Sequence, residues 1–263
     1  MSETFNIATF KGDGIGPDVI NSAIEIIEKA SNAVGGLNFE WNFIKAGAAY
    51  YKETGKDVED DGEKKAEQSD AIFLGAIGLP SIRKDDGTEI APHLRFREVF
   101  NLYAGVRPVK AYKNIPQRLS NKNAEKIDLV VLRECTEGLF YTAAVHNRNK
   151  IANNNEVEDI MRITRNTTTR LHNFAFKLAE KRKQKGKLGK VTCVDKANVF
   201  KSQALFRKIF NEIKDDFPNI EADTCYVDAM ALNLIRQPWE YDVMVMENIF
   251  GDILSDLGGG LVG

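Results

Sequence analysis

The sequence predicts an α/β fold, a mostly parallel sheet flanked by helices. Three observations carry this. Short apolar runs alternate with helical patterns from one end of the chain to the other. The helical stretches are long enough to act as crossovers, which set successive strands parallel. No repeat or low-complexity segment interrupts the alternation.

In order, residues 5–10 read as a strand and residues 17–33 as a helix, with apolar residues at Val19, Ile20, Ala23, Ile24, Ile26 and Ile27. Pro17 suits a first helical turn, where its missing N–H needs no partner, and Gly35-Gly36 suits the stop. Residues 39–44, 71–76, 102–106 and 129–132 are further strands. Residues 139–155 carry aromatics, then Asn and Lys, without helical periodicity, which fits an extended arm or hairpin. The longest helical pattern, 156–185, has Ile160, Ile163, Leu171, Phe174, Ala175 and Leu178 at mostly helical spacing. Strands at 191–194, 224–227 and 243–246 then alternate with helices at 198–214 and 229–236.

A chain of 263 residues makes one large domain or two small ones. Its hydrophobic fraction of 43% supports a substantial core and excludes low-complexity disorder. The 36 basic and 38 acidic side chains leave a net charge of −2, which argues against a general nucleic-acid binder. The basic run at 181–187 reads as a helix end, where cations meet the negative pole of the dipole. No apolar run reaches the roughly 18–20 residues of a membrane span. The start, Met1-Ser2-Glu3-Thr4-Phe5, has no signal or transit pattern. Cys135, Cys193 and Cys225 are odd in number and far apart, which fits free thiols in a reducing compartment. The expectation is a cytoplasmic globular protein with no membrane partner.

Gly12-Asp13-Gly14-Ile15-Gly16-Pro17 follows a strand and opens a helix, yet it is not a dinucleotide fingerprint: Pro17 stands where the third glycine belongs, and Glu40 lies inside a strand pattern. A tight turn and a ligand loop both remain open readings. Three later junctions carry more chemistry. Lys196 follows one strand, Asp228 the next, and Asp252 and Asp256 lie beyond the third at i, i+4, the same face if helical. Singly, each fits a cap or a solvated face. Jointly, at successive strand ends, the carboxylates suit a hard divalent cation, and the carboxyl ends of parallel strands are where such folds place ligands. Arg97, Arg107 and Arg133 sit at element boundaries, where a planar guanidinium can grip a carboxylate at two points.

On these residues the chain resembles the β-decarboxylating dehydrogenases that act on 3-isopropylmalate, isocitrate, homoisocitrate and tartrate/D-malate. The resemblance rests on Gly12–Pro17, Arg107-Pro108, Arg133-Glu134-Cys135-Thr136-Glu137-Gly138, Val194-Asp195-Lys196-Ala197-Asn198, Tyr226-Val227-Asp228-Ala229-Met230 and the run from Asn248 to Asp256, in family order. It implies an isopropylmalate dehydrogenase-like fold with an extended arm for dimerisation. Residues 1–101 plus 251–263 would form a first, cofactor-side domain, incomplete here, and residues 102–250 a second domain carrying the arm at about 139–155. It implies oxidation and decarboxylation of a (2R)-hydroxy diacid with NAD or NADP and Mg²⁺ or Mn²⁺. Arg97, Arg107 and Arg133, with His93 and Leu94, would bind substrate. Asp228, Asp252 and Asp256 would hold the metal. Lys196, Asp228 and Tyr141 would be catalytic, and Gly14, Ile15, Gly75, Ala76 and Asn198 would face the cofactor. Lys196 and Asp228 would reach the site in trans across a homodimer.

Two departures stand out. Phe140 occupies the position of the family's proton-donating tyrosine, with Tyr141 beside it, and in an extended strand the two would face opposite ways. Family chains also run on past Gly263, so the sequence reads as C-terminally truncated. Ile90 and Leu94 suit an isopropylmalate-like substrate, whereas His93 leans toward tartrate, malate or another polar diacid. A non-catalytic or regulatory subunit of the same family is the alternative that Phe140 motivates.

Overall fold

The computed structural model describes residues 2–144 and 153–263, in two compact units, Met1–Phe100 and Asn101–Gly263. The first unit runs β1 (Glu3–Phe10), α1 (Gly16–Val34), β2 (Leu37–Phe43), α2 (Ala48–Thr54), α3 (Gly62–Glu67), β3 (Ala71–Leu74) and α4 (Pro92–Val99). Its sheet is parallel, in the order β2-β1-β3. The core gathers Ala8 and Phe10 of β1 with Ile44, Val58, Ala66 and Phe96. Pro17 lies in the first turn of α1, and Gly35 closes that helix by donating its N–H to Ser31 O at 2.7 Å.

The second unit runs β4 (Ala104–Lys110), β5 (Asp128–Glu134), α5 (Phe140–Ala144), α6 (Arg165–Gln184), β6 (Lys190–Asp195), α7 (Lys201–Ile213), β7 (Glu221–Tyr226), α8 (Val227–Arg236), β8 (Val243–Met246) and α9 (Asn248–Val262). The sheet order is β4-β5-β8-β6-β7. β8 is central and buried on both faces, which explains its unbroken apolar run. Val243 and Val245 join Leu171, Phe176, Phe206 and Phe210 of α6 and α7, whereas Met244 and Met246 join Met230, Leu234, Leu254 and Leu261 of α8 and α9. The basic run ends α6: Arg182 pairs with Asp128 and Asp242, Lys187 pairs with Asp128, and Lys183 donates to Asn219 O.

The sheet is mostly parallel, as expected; β4 and β5 pair antiparallel, because no crossover-length helix joins them. Three expectations are corrected. The long helix begins at Arg165 rather than at 156, because tertiary bonds hold the preceding stretch extended: Arg162 bridges to Gly138, and Thr164 bonds to Glu137. The arm region opens with the helical turn α5 instead of an extended strand; residues 145–152 of the proposed arm lie outside the described residues. Finally, residues 251–263 belong to α9 and the second unit, because Leu254 and Leu261 are buried in its core. Among the described residues, no helix is long and apolar enough to cross a membrane.

Candidate active site

The second unit builds its chemistry where β4, β5 and α9 meet. In the antiparallel register Gly105 lies opposite Arg133, and Arg107 opposite Val131. Residues two apart on a strand share a face, so Arg107 and Arg133 project from the same side as diagonal neighbours. Arg107 is exposed, but Arg133 is 2% exposed beneath α9. Gly251 makes that burial possible, since a Cβ there would come within 2.6 Å of Arg133 Cβ and Cγ. A buried guanidinium must be paired, and each edge of this one is used. Nε and Nη2 donate to Asn248 Oδ1 at 3.0 and 2.7 Å, Nη1 pairs with Asp252, and the plane lies 5.0 Å from the Phe140 ring. Asn248 in turn donates from Nδ2 to Glu137 O at 3.0 Å.

Three glutamates support this cluster, each no more than 7% exposed. Glu134 accepts from Thr136 N–H and Oγ1 and from Glu137 N–H, and burial raises its pKa. Glu137 accepts from Thr164 and Thr167. Glu247 caps α9 by accepting from Ile249 N–H and Phe250 N–H at 3.1 and 3.0 Å. Burial, with Glu134 nearby, lifts its pKa to about 7.

Tyr141 does not share Phe140's direction. On α5 the Phe140 ring meets Arg133, while the Tyr141 ring lies 4.7 Å from the Arg162 guanidinium. The helical backbone, instead of a strand's alternation, separates the two.

At the other end of the sheet, Lys196 follows β6 and forms an ion pair with Asp228 in the first turn of α8. That hydrogen bond lowers the pKa of the exposed Asp228. Behind Lys196, fully buried Asp195 holds Arg207 through Nε and Nη2 at 2.7 and 2.8 Å and accepts from Ala197 N–H at 2.8 Å. The Tyr226 ring lies 5.9 Å from Lys196 Nζ and 4.8 Å from the Arg207 guanidinium. Asn198 is exposed in the turn before α7.

Asp252 is half-buried and Asp256 exposed, one turn apart on α9. They offer oxygen-only donors, as a hard cation requires. Asp228 does not join them: among the described residues, no three His, Cys, Asp or Glu side chains are gathered closely enough to hold a metal.

In the first unit, the glycine loop is organised by a residue that sequence reasoning passed over. Asp13 is 3% exposed, and its carboxylate accepts from Ala48 N–H, Ala49 N–H and Gly78 N–H at 2.7 to 2.8 Å. It thereby satisfies the start of α2 and ties the loop to the segment after β3. Gly12, at φ +74°, packs where a Cβ would overlap Ala76 O. Gly14 and Ile15 are exposed at the tip, Ile15 at 68%, and Gly75 and Ala76 lie alongside the loop. On α4, His93 and Arg97 stand at i, i+4, with Leu94 half-buried beside them. Among the described residues, His93 Nδ1 and Arg97 Nη1 are buried without hydrogen-bond partners. Burial and the neighbouring Arg97 push the His93 pKa down to about 4.

Asp13, Asp195 and Asn248 stand inside the motifs, and Glu247 directly precedes one. Asp13 and Asn248 act through partners far along the chain, Asp195 through Arg207 on the following helix, and Glu247 through the first turn of α9, none of which residue types alone reveal.

Residues 6–263 match a family model described as isocitrate/isopropylmalate dehydrogenase. The chain is 37% identical over 258 residues to a 3-isopropylmalate/3-methylmalate dehydrogenase of Methanocaldococcus jannaschii, covering 98% of this chain and 71% of that protein. It is 36% identical over 264 residues to a 3-isopropylmalate dehydrogenase of Carboxydothermus hydrogenoformans, covering 98% and 69%. Among solved structures, an isocitrate dehydrogenase from Methylococcus capsulatus superposes with a TM-score of 0.82 at 32% identity, covering 98% of this chain and 71% of that one.

Proposed function

The chain belongs to the isocitrate/isopropylmalate dehydrogenase family of decarboxylating dehydrogenases, and on that premise we propose that it oxidises and decarboxylates a (2R)-hydroxy dicarboxylic acid with NAD or NADP and a divalent cation. The observation that carries this reading is the cluster of Arg133, Asn248 and Asp252, a buried guanidinium fixed beside a carboxylate that has a second carboxylate one turn away.

Arg133 and Arg107, on one face of the sheet, grip the substrate carboxylates. Lys196 Nζ of a second copy of the chain takes the hydroxyl proton, directly or through water; the nicotinamide, when bound, would supply the hydride acceptor for the carbinol carbon. The bond to the β-carboxylate then breaks to release carbon dioxide, and the remaining enolate takes a proton at carbon from Tyr141 or water, since Phe140 has none to give. Asp252 and Asp256, with Asp228 from a second copy of the chain, hold Mg²⁺ or Mn²⁺, which supplies Lewis acidity at the hydroxyl and carboxylate oxygens.

The bare backbone at Gly14 and the exposed Ile15 suit the flat nicotinamide end of the cofactor, with Gly75 and Ala76 as further contacts. The homodimer is supported by apolar exposure on α8 and α9: Leu232 and Ile235, three apart and 52% and 53% exposed, and Ile253 at 61%.

The test is to incubate the full-length protein with Mn²⁺, NAD or NADP and a panel of (2R)-hydroxy diacids, following nicotinamide reduction and carbon dioxide release together. Equal amounts of both products support the reading. Reduction without carbon dioxide, or neither product, overturns it.

A further inference from the structure

Arg207, on α7, touches the ends of both strands that lead to Lys196 and Asp228. Its Nε and Nη2 donate to Asp195 at 2.7 and 2.8 Å, and its guanidinium lies 4.8 Å from the centre of the Tyr226 ring. Asp195 ends β6, Tyr226 ends β7, and the two are register partners in that parallel pair. Lys196 directly follows the first, and Asp228 comes two residues after the second. The Asp195 carboxylate also reaches past Lys196 to accept from Ala197 N–H at 2.8 Å. Lys196 O accepts from Val199 N–H and Phe200 N–H at 3.0 and 3.1 Å. The Lys196 backbone is held on both sides, and its Nζ stands 5.9 Å from the ring that Arg207 faces.

Stability alone does not account for this arrangement. Asp195 is 0% exposed, and removing a carboxylate from water costs about as much as its pairing returns, so apolar side chains would fill the space as well. A bidentate guanidinium adds geometry instead, because its planar fork fixes both the distance and the direction of the carboxylate. Here that geometry is imposed at two neighbouring strand ends, beside the Lys196–Asp228 ion pair. We infer that Arg207 is a positioning residue: through Asp195 and Tyr226 it locks the ends of β6 and β7 together and so aims Lys196 Nζ. The inference rests on the reading of Lys196 as the group that takes the hydroxyl proton.

The experiment uses the full-length enzyme with Mn²⁺, its preferred nicotinamide cofactor and the (2R)-hydroxy diacid that it turns over fastest. Arg207→Lys keeps a cation beside Asp195 but loses the two fixed donors. It should lower kcat by about tenfold to a hundredfold, the effect of a misplacement near 1 Å, and change KM by less than about twofold. Asp195→Asn, which is isosteric and keeps one acceptor, should give the same split and stands in if Arg207→Lys does not fold. The substitution is then repeated in Lys196→Ala, with ethylamine supplying an untethered amine. There Arg207→Lys should cost less than about twofold, because no lysine remains to be aimed. Equal losses in both backgrounds, a rise in KM with kcat unchanged, or no change at all overturns the inference and leaves the dehydrogenase reading intact. If ethylamine rescues nothing, a crystal structure of the Arg207→Lys protein decides: Lys196 Nζ parted from Asp228 supports the inference, and an unmoved Lys196 overturns it. A parent that reduces no nicotinamide with any diacid overturns both readings.

Discussion

Arg133 and Asn248 meet through a single amide oxygen: Asn248 Oδ1 accepts from both Nε and Nη2 of the guanidinium, at 3.0 and 2.7 Å. The other end of the same amide is anchored to Glu137 O. Asn248 therefore fixes the plane in which Arg133 lies and leaves the Nη1 edge to Asp252. Asn248→Ala should leave two donors of a buried cation unpaired, at about 2–3 kcal/mol in stability. It should also lower kcat/KM by about tenfold to a hundredfold, mainly through KM, as the arginine loses its alignment. Chemical denaturation and steady-state kinetics on one preparation check both. Loss of stability with unchanged KM would confine Asn248 to a structural role.

Glu247 couples stability to pH. Its folded pKa, about 7, exceeds the ordinary 4.5 because burial disfavours the anion. The folded state keeps a proton that the unfolded chain releases, so stability should fall as pH rises from 4.5 to about 7 and then level off. The full loss is about 3 kcal/mol. Glu247→Gln keeps an acceptor for Ile249 and Phe250 and should remove this slope, so that the variant is the more stable protein near pH 8. Denaturation midpoints across that range test it.

His172 acts in the opposite direction. It is fully buried, edge-on to the Phe206 and Phe210 rings at 4.4 and 5.4 Å, and both its ring nitrogens lack partners among the described residues. Burial lowers its pKa to about 3 from 6.5. The unfolded chain binds the proton first, so the stability this neutral ring contributes is fully present above 6.5 and lost as pH falls toward 3. About 2 kcal/mol should be gone near pH 5. His172→Phe should flatten that acid limb, measured by thermal melting in a pH series. An unchanged limb would show that other groups drive acid unfolding.

Phe140 lies 5.0 Å from the Arg133 guanidinium, at the position where family resemblance implies a tyrosine. A phenol there would add a proton donor beside the Arg133 cluster without changing the ring contact. Phe140→Tyr should raise single-turnover product formation severalfold, read by rapid-quench kinetics. A fall in rate would mean that protonation is already served from elsewhere.

Much of this was legible in the sequence because strands and helices write local patterns. Residues 243–246 gave a strand directly, since a central strand covered on both faces is apolar throughout. Pro17 and Gly35 marked the bounds of α1. The antiparallel step from β4 to β5 was hidden, because the same apolar residues serve either direction of pairing. The start of α6 was misplaced because Glu137, far back in the chain, holds Thr164 extended against its neighbours' helical periodicity. The site was legible as residue types at strand ends. Its organisation was not, since Asp13, Asn248, Glu247 and Asp195 act through partners tens of residues away or across a strand-to-helix turn.

The central claim is that Asp252, held by Arg133, is also a ligand for the divalent cation on which turnover depends. Calorimetric titration of Mn²⁺ into the full-length parent and into Asp252→Asn measures this directly. The account predicts that the variant loses at least about a hundredfold in affinity, as expected when one of a few charged oxygen ligands is neutralised. An Asp252→Asn protein that binds Mn²⁺ as tightly as the parent would contradict it.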